Sequence, residues 1–396
     1  MVRTVSIVLG FLVLGGAASS SAQSQSQTAT PSEPVHYWLF RPNVGELGES
    51  PVTDRVSTQP ASPTARPRGA EFVVAPIPIV NPTLDNGLAV AVGELYTIDR
   101  GSPPSSTMGM GFYTSNDSWG AGLAQLLHLD DDRYRALVAG AYFDVNFDFF
   151  GIGSDAGDEG ESIPLNQTGY GGMVDFRVHM GRNWYAGPRY RFGRTTASAD
   201  LTNSSVTVPA ADLHLRTASL GPHVERDTRS DEFYPRSGTW FDLVMGFAGE
   251  SIGGRRSYQM YQAAFSTYSS LSPRQVLATK INSCYADGDV PFFDLCLLGQ
   301  YQDIRGYQTG QYRDRSMLTA QAEYRLELWW KIGVVAFGGA GEVAESFGKF
   351  TGGSVLPSGG AGLRFRLTDE NHVNLRADYA WGKNSSALYI SVAEAF

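Results

Sequence analysis

A two-residue alternation of apolar and polar side chains constrains this chain more than any other feature of its sequence. The alternation begins near residue 71 and continues to residue 396. One late segment shows it in full, with apolar side chains at every second position and polar ones between them: Val373, Leu375, Ala377, Tyr379 and Trp381 against Asn374, Arg376 and Asp378. Successive side chains of a β-strand point to opposite faces, so such segments are typical of amphipathic strands.

About sixteen such segments occur, separated by clusters of Gly, Asn, Asp, Ser and Pro that favour turns. The predicted strands cover residues 71–80, 86–97, 105–115, 118–129, 132–147, 165–181, 183–196, 211–227, 237–250, 255–271, 273–286, 315–328, 331–342, 356–368, 371–382 and 386–396. The chain is therefore predicted to be all-β. An even number of strands is what a closed bacterial barrel requires.

Alternation alone does not separate a soluble β-sandwich from an outer-membrane barrel, since the strands of both have one apolar and one polar face. Three features favour the barrel: an export signal, aromatic residues at strand ends, and a last predicted strand that ends on Phe396. A terminal aromatic residue is typical of proteins assembled into the outer membrane. We therefore predict that residues 71–396 form a transmembrane antiparallel β-barrel, in contact with lipid, in the outer membrane of a Gram-negative-type bacterium.

The first 70 residues are predicted to lie outside the barrel. Residues 1–22 have the pattern of a secretory signal peptide, with Arg3 before an apolar run and small residues before the cleavage site. Residues 23–70 are rich in Ser, Gln, Thr and Pro, which predicts a disordered periplasmic tether. The apolar stretch at 35–40 can dock on an apolar surface or stay unpaired, and the sequence leaves both interpretations open.

The chain has two cysteines, Cys284 and Cys296. An exported protein meets an oxidising compartment, where a disulfide is favoured over two free thiols. No histidine lies near the pair in the sequence, so a metal site is not expected there. The predicted role is structural, as a staple on a loop.

The first predicted strand carries two prolines, Pro76 and Pro78, at alternate positions. Their missing N–H groups therefore lie on the same side of the strand, and prolines within sheets are confined to edges and bulges. Two interpretations stay open. The segment is either a frayed entry to the barrel or a weakly paired seam between the first and last strands.

Three short motifs follow one another in the second half of the chain, in a turn, a loop and the closing strands: Asp227, Arg229, Pro235 and Gly238; Ile304, Arg305, Gly306 and Tyr307; Gly360, Gly362, Arg364 and the terminal Phe396. Together, at these spacings in an exported β-chain, they resemble the motifs of the BamA/TamA-type superfamily of outer-membrane insertases and translocases, also called the bacterial surface antigen family. The resemblance covers about residues 71–396.

The resemblance implies that the loop with Arg305 is the sixth extracellular loop and folds back into the lumen. A guanidinium there needs carboxylate or carbonyl acceptors, and Glu323 has the inward parity expected of its partner. The family's second acid falls at Gly339 in this chain. The ion-pair lock that Arg305 forms with its acidic partners is therefore expected to have one carboxylate fewer. It either pins a plug or takes part in gating.

Family members usually carry periplasmic POTRA domains before the barrel, and residues 23–70 are too short and polar for one. The resemblance thus implies a POTRA-less member that assists insertion or translocation of unfolded outer-membrane or secreted client proteins. The alternatives are a passive pore and a surface antigen without insertase activity. A monomeric barrel is expected.

The sequence favours neither enzymes nor nucleic-acid binding. It has no G-x-S-x-G or H-E-x-x-H run, so no catalytic residue, cofactor or metal is predicted. The net charge of −9 gives no basic face for a nucleic acid.

Overall fold

A computed structural model describes residues 71–81, 83–99, 102–199, 206, 208–209, 213–231, 233–299, 304–367 and 372–396. The predicted signal peptide, the predicted tether and the stretch at 35–40 lie outside the described residues.

None of the helices in the described part of the chain has the length and apolar character needed to cross a membrane.

Sixteen antiparallel strands close into one barrel, which confirms the predicted fold. They are β1 (Glu71–Asn81), β2 (Asp85–Tyr96), β3 (Ser105–Thr114), β4 (Trp119–Leu129), β5 (Tyr134–Phe149), β6 (Ile163–Gly181), β7 (Trp184–Ala199), β8 (His214–Asp227), β9 (Gly238–Ala248), β10 (Tyr258–Ser272), β11 (Gln275–Gly288), β14 (Ser316–Trp329), β15 (Ile332–Ala344), β16 (Leu356–Arg366), β17 (Asn374–Gly382) and β18 (Ser385–Val392).

The remaining elements lie in the connections between barrel strands. A helix, α1 (Ser154–Glu159), follows β5, and a two-stranded sheet of β12 (Cys296–Leu297) and β13 (Arg313–Asp314) lies between β11 and β14. In the part of the chain that the structure describes, short 3-10 helices occupy Glu250–Ile252, Phe292–Asp294 and Phe347–Lys349.

The alternation places apolar side chains outside the barrel and charged ones inside. On β6, Val174 and Phe176 are 48% and 39% exposed, whereas Asp175 and Arg177 between them are 0% and 2% exposed. An apolar outer band around a polar interior is the reverse of a soluble fold and is typical of a barrel in lipid.

The two ends of the barrel differ in the length of their connections. Residues 182–183, 273–274 and 330–331 form two-residue turns at one end, whereas residues 150–162 and 289–315 form long connections at the other. Outer-membrane barrels have short periplasmic turns and longer extracellular loops. The short-turn end is therefore the periplasmic end.

The barrel closes between β1 and β18 with little pairing. All eleven residues of β1 pair with β2, and all eight residues of β18 pair with β17. In contrast, Val80 with Ile390 is the single pair in register between β1 and β18 among the described residues.

The prediction that the last strand runs to Phe396 is wrong. Strand β18 ends at Val392, and the next residue, Ala393, has a φ of 71°, in the left-handed region that turns the chain away from a ladder. Glu394 is 5% exposed and accepts hydrogen bonds from Arg364 and Asn374. The final residues therefore leave the sheet because a buried carboxylate binds inward-facing partners.

Candidate functional site

The candidate site is built around the connection between β11 and β14, at residues 289–315. A disulfide joins Cys284 on β11 to Cys296 on β12. Both half-cystines pack in one buried apolar cluster with Ile304, Tyr307 and other side chains of the connection and of the adjacent strands. This cluster fixes the start of the segment that carries Arg305.

The Arg305 guanidinium is 1% exposed and has two carboxylate partners. Its Nη2 donates to Glu323 Oε2 on β14 and its Nη1 to Asp378 Oδ2 on β17, both at 2.6 Å. Its Nε donates to the side-chain oxygen of Gln321 at 3.2 Å, and the guanidinium carbon lies 3.4 Å from the centre of the Phe337 ring. Charge-assisted hydrogen bonds and a stacked ring thus hold the cation from several sides.

The expectation that the lock has one carboxylate fewer is wrong, because Asp378 supplies the second one. Gly339 lies on β15 and has no side chain that could bind the guanidinium. Asp378 faces inward on β17 opposite Gly362, whose missing side chain leaves room: a Cβ there would lie 1.9 Å from Asp378 Oδ1. Alternation marks Asp378 as inward-facing, but its distance from the loop follows only from the curvature of the wall.

The backbone beside Arg305 also binds the wall. Gly306 has a φ of 103°, and a Cβ at this position would lie 2.7 Å from the carbonyl carbon of Trp381, so a side chain is excluded there. The Gly306 N–H donates to the Tyr389 hydroxyl at 3.0 Å, and its carbonyl accepts from the Ser385 hydroxyl at 2.6 Å. The glycine of the motif therefore allows the loop to approach β17 and β18 closely.

Tyr307 joins two neighbouring strand ends. Its hydroxyl donates to the Pro357 carbonyl at 2.5 Å and accepts from the Lys383 N–H at 2.7 Å. Pro357 lies on β16, and Lys383 lies in the turn between β17 and β18. The aromatic residue of the motif thus ties the loop to the last hairpin.

The two acids that bind Arg305 belong to a wider ionic network. Asp378 also accepts from Arg364 on β16, whose Nε donates to Glu394 at 2.6 Å, and Glu323 also accepts from Arg325 at 2.7 Å. Arg325 in turn donates to the carbonyl oxygen of Phe396 at 2.5 Å. The network links the loop, three barrel strands and the segment that follows β18.

The residues of the other motifs lie at different distances from this network. Gly360, Gly362 and Arg364 lie on β16 beside it. The turn residues lie between β8 and β9 at the periplasmic end, where Arg229 pairs with Asp227 at 2.7 Å and Gly238 begins β9 with a φ of 101°. Pro235 lies in the same turn, while Pro76 and Pro78 lie on β1.

A second polar cluster, which sequence reasoning did not single out, lies inside β5–β9. His223 bonds Asp175 and Asp242 through its two ring nitrogens, each at 2.6 Å. Glu225 pairs with both Arg135 and Arg177. Ligand atoms of His223, Glu225 and Asp242 lie within 4.8 Å of one another. These atoms already bond neighbouring side chains, and arginines surround them. The cluster is therefore better suited to an ion-pair network than to binding a metal cation.

The comparisons with known proteins come from sequence and from structure. A model of the Omp85 superfamily domain matches residues 105–392. No curated protein shows significant sequence similarity to the chain. Similar solved structures include BamA from Haemophilus ducreyi lacking POTRA domains 1–3, at 14% identity and a TM-score of 0.51, covering 82% of this chain and 69% of that one.

Two further structures are the CdiB proteins of Acinetobacter baumannii and Escherichia coli. Their identities are 12% and 13%, and their TM-scores are 0.57 and 0.56. The matches cover 82% and 83% of this chain but 60% and 63% of theirs. At such identities the likeness supports the barrel fold alone.

Proposed function

This chain belongs to the Omp85 superfamily, and from this premise we propose that it assists the insertion or translocation of proteins at the outer membrane. Its family and its sixteen-stranded barrel make it a Gram-negative outer-membrane protein. The proposed clients are unfolded outer-membrane proteins or secreted proteins. The proposed role needs no bond chemistry, since pairing of strands supplies the driving force.

The observation that carries the proposal is the weak closure between β1 and β18, where the described residues form the single register pair Val80 and Ile390. Along β1, Pro76 and Pro78 have no N–H group to donate to a neighbouring strand. Unpaired strand edges expose backbone donors and acceptors that can template another strand. We infer that this seam opens and that its edges pair with a client strand.

The Arg305 loop is proposed to lie within the lumen and to close it when no client is engaged. In support, Arg305 is almost fully buried and binds Glu323 and Asp378, whose alternation assigns them to the inner face. Through Gly306 and Tyr307 the loop also holds the hairpin of β17 and β18, which borders the seam. Release of the loop is therefore expected to loosen the seam strand.

The test follows the folding of a urea-unfolded outer-membrane protein into liposomes that contain the purified barrel. Val80→Cys with Ile390→Cys allows the seam to be closed by oxidation. A matched pair, Tyr379→Cys with Leu388→Cys, crosslinks β17 to β18, which are already paired. Both pairs are placed in a background with Cys284→Ser and Cys296→Ser, so that the native disulfide does not interfere.

An insertase accelerates client folding, loses the acceleration when the seam is crosslinked, and keeps it with the control crosslink. A barrel that gives no acceleration but a steady conductance in planar bilayers is instead a passive pore. If client folding is still accelerated after the seam is crosslinked, opening between β1 and β18 is not part of the mechanism.

A further inference from the structure

The helix α1 lies in the extracellular connection between β5 and β6 and packs on the connection between β11 and β14, which carries Arg305. Just before α1, the Gly153 N–H donates to a carbonyl of β13 at 2.8 Å. Within α1, the Gly157 carbonyl accepts from the Gln311 side chain at 3.1 Å. Gly157 is buried, and a Cβ at this position would lie 2.4 Å from the Tyr312 ring. The missing side chain of Gly157 therefore allows α1 to lie directly on the Arg305 connection.

Asp158, near the end of α1, joins three parts of the extracellular surface. Its Oδ1 accepts a hydrogen bond from the Tyr312 hydroxyl at 3.0 Å. Both of its carboxylate oxygens accept from Lys383 Nζ, each at 2.8 Å. Lys383 lies in the turn between β17 and β18, and its backbone N–H donates to the Tyr307 hydroxyl at 2.7 Å. Asp158 thus connects α1, the Arg305 connection and the last hairpin.

These contacts join parts of the barrel that are distant along its wall. Four strands, β1 to β4, lie between β5 and β18, and four others, β7 to β10, lie between β6 and β11. Neighbouring strands are about 4.8 Å apart, so each of these separations is about 24 Å along the wall. The connection with α1 nevertheless contacts both the turn at Lys383 and the Arg305 connection. It therefore extends across part of the extracellular mouth.

The ion pair between Asp158 and Lys383 has the character of a contact that can open. The two side chains are 33% and 37% exposed, and exposed ion pairs are weak and are screened by salt. Gly153 and Gly160 flank α1 with φ of 102° and 70°, and no atom lies within 4 Å of a Cβ built on either. Such glycines can absorb the backbone rotation of a hinge.

We propose that the connection with α1 is a lid over the extracellular mouth, and that Asp158 and Lys383 form the clasp that keeps the lid closed. With the clasp closed, α1 covers the Arg305 connection at Tyr312 and the turn before β18 is held in place. Release of the ion pair frees α1 and the extracellular end of the seam strand together. The lid rests on the proposed function in one respect, that the Arg305 connection closes the lumen, and its opening requires no client protein.

Opening of the lid is measured as ionic conductance of the purified full chain in planar bilayers without a client. Asp158→Asn and Lys383→Met each remove one charge of the clasp. Asp155→Asn is the matched control for the acid, because among the described contacts the Asp155 side chain bonds only its neighbour Ser154. Lys349→Met is the control for the base, at an exposed position in the extracellular connection between β15 and β16.

Two further variants test the lid without relying on the loss of a charge alone. Gly157→Ala places a Cβ against the Tyr312 ring and should lift α1 from the Arg305 connection. Asp158→Cys with Lys383→Cys removes the ion pair, and a short bis-maleimide then restores the link covalently. The two native cysteines form a disulfide and leave no other thiol to react.

We expect rare openings of the wild type at low salt, and an open fraction about fivefold higher in Asp158→Asn, Lys383→Met and Gly157→Ala. Both controls should match the wild type. Higher salt should raise the open fraction of the wild type but not that of Asp158→Asn, because the clasp is already broken there.

Crosslinking the cysteine pair should suppress the openings. An open fraction that is equal in the wild type and the clasp variants, or that the crosslink leaves unchanged, would overturn the lid. Since no client is present, this outcome is separate from the outcome of the client-folding assay.

Discussion

Arg305 and Asp378 are 73 residues apart in sequence, yet Nη1 of the first donates to Oδ2 of the second at 2.6 Å, with both side chains buried. The contact joins the long extracellular connection to β17, next to the strand that borders the seam. With Glu323 it gives the guanidinium two carboxylates, although the acid that the resemblance predicted is replaced by Gly339.

Replacing Arg305 is expected to destabilise the barrel. Arg305→Ala leaves Glu323 and Asp378 buried without their shared cation, and removing one partner of a buried ion pair costs about 3–5 kcal/mol. Other arginines of the network offset part of this cost. The midpoint of thermal unfolding in detergent, followed by circular dichroism and by heat-modified mobility in gels, should fall. Arg133→Ala, at an exposed site, should leave it unchanged. An equal midpoint for the wild type and Arg305→Ala would show that the ion pairs of Arg305 do not stabilise the barrel.

Placing at position 339 the acid that the resemblance predicted is expected to destabilise the barrel. A Cβ at Gly339 would lie 2.5 Å from the Ala320 carbonyl oxygen, a backbone atom that cannot move freely. Overpacking of this kind costs about 1–3 kcal/mol, so Gly339→Ala and Gly339→Asp should both lower the free energy of unfolding. Gly338→Ala is the control, because the nearest atom there, the Ser358 carbonyl oxygen, is 3.7 Å away. A Gly339→Asp barrel more stable than the wild type would contradict the assignment of Asp378 as the replacement acid.

Removing the disulfide is expected to loosen the start of the Arg305 connection. Cys284 and Cys296 are separated by 12 positions, and a crosslink of about this length stabilises a protein by about 3 kcal/mol. The variant with Cys284→Ala and Cys296→Ala should lose about this amount and become insensitive to reductant. Proteolysis within 289–315 should speed up. Unchanged protection of the connection in the variant would show that the apolar cluster around Ile304 and Tyr307 holds it alone.

Stability should depend on pH through Asp132, which lies in the periplasmic turn between β4 and β5. Burial alone would raise the pKa of this carboxyl, but hydrogen bonds from His128 and Arg135, together with the charge of Arg135, hold the pKa well below its usual range. A lowered folded-state pKa contributes stability above the unfolded-state value of about 4, and the contribution is lost as pH falls through the folded-state pKa.

The wild type should therefore be more stable than Asp132→Asn at pH 7. This difference in unfolding free energy should be largest there and should decrease below about pH 4. Urea titrations at several pH values measure it. Asp131→Asn, in the same turn, serves as the control because no buried side chain pairs with Asp131 among the described contacts. A difference that stays constant down to pH 2 would contradict the assignment.

Much of the architecture was predictable because local chemistry repeats along the chain. Alternation in segments such as 373–381 assigned each side chain to the outer or inner face, and turn-forming residues separated the strands. The closed barrel of sixteen strands is accordingly confirmed. The last strand was predicted too long, since the chain turns out of the ladder at Ala393 and brings Glu394, which has the parity of the outward-facing Leu388, to buried partners.

The sequence by itself determined which residues face inward, since side-chain direction on a strand depends only on parity. The tertiary structure alone decided which of them meet. Closure of the wall brings β14, β15 and β17 around one guanidinium, so Asp378 replaces an acid expected at Gly339, and Arg325 shares an acid with Arg305. The tertiary structure also decided that the described residues of β1 and β18 form one register pair. Such distances follow from the curvature and register of the whole sheet, which no local pattern encodes.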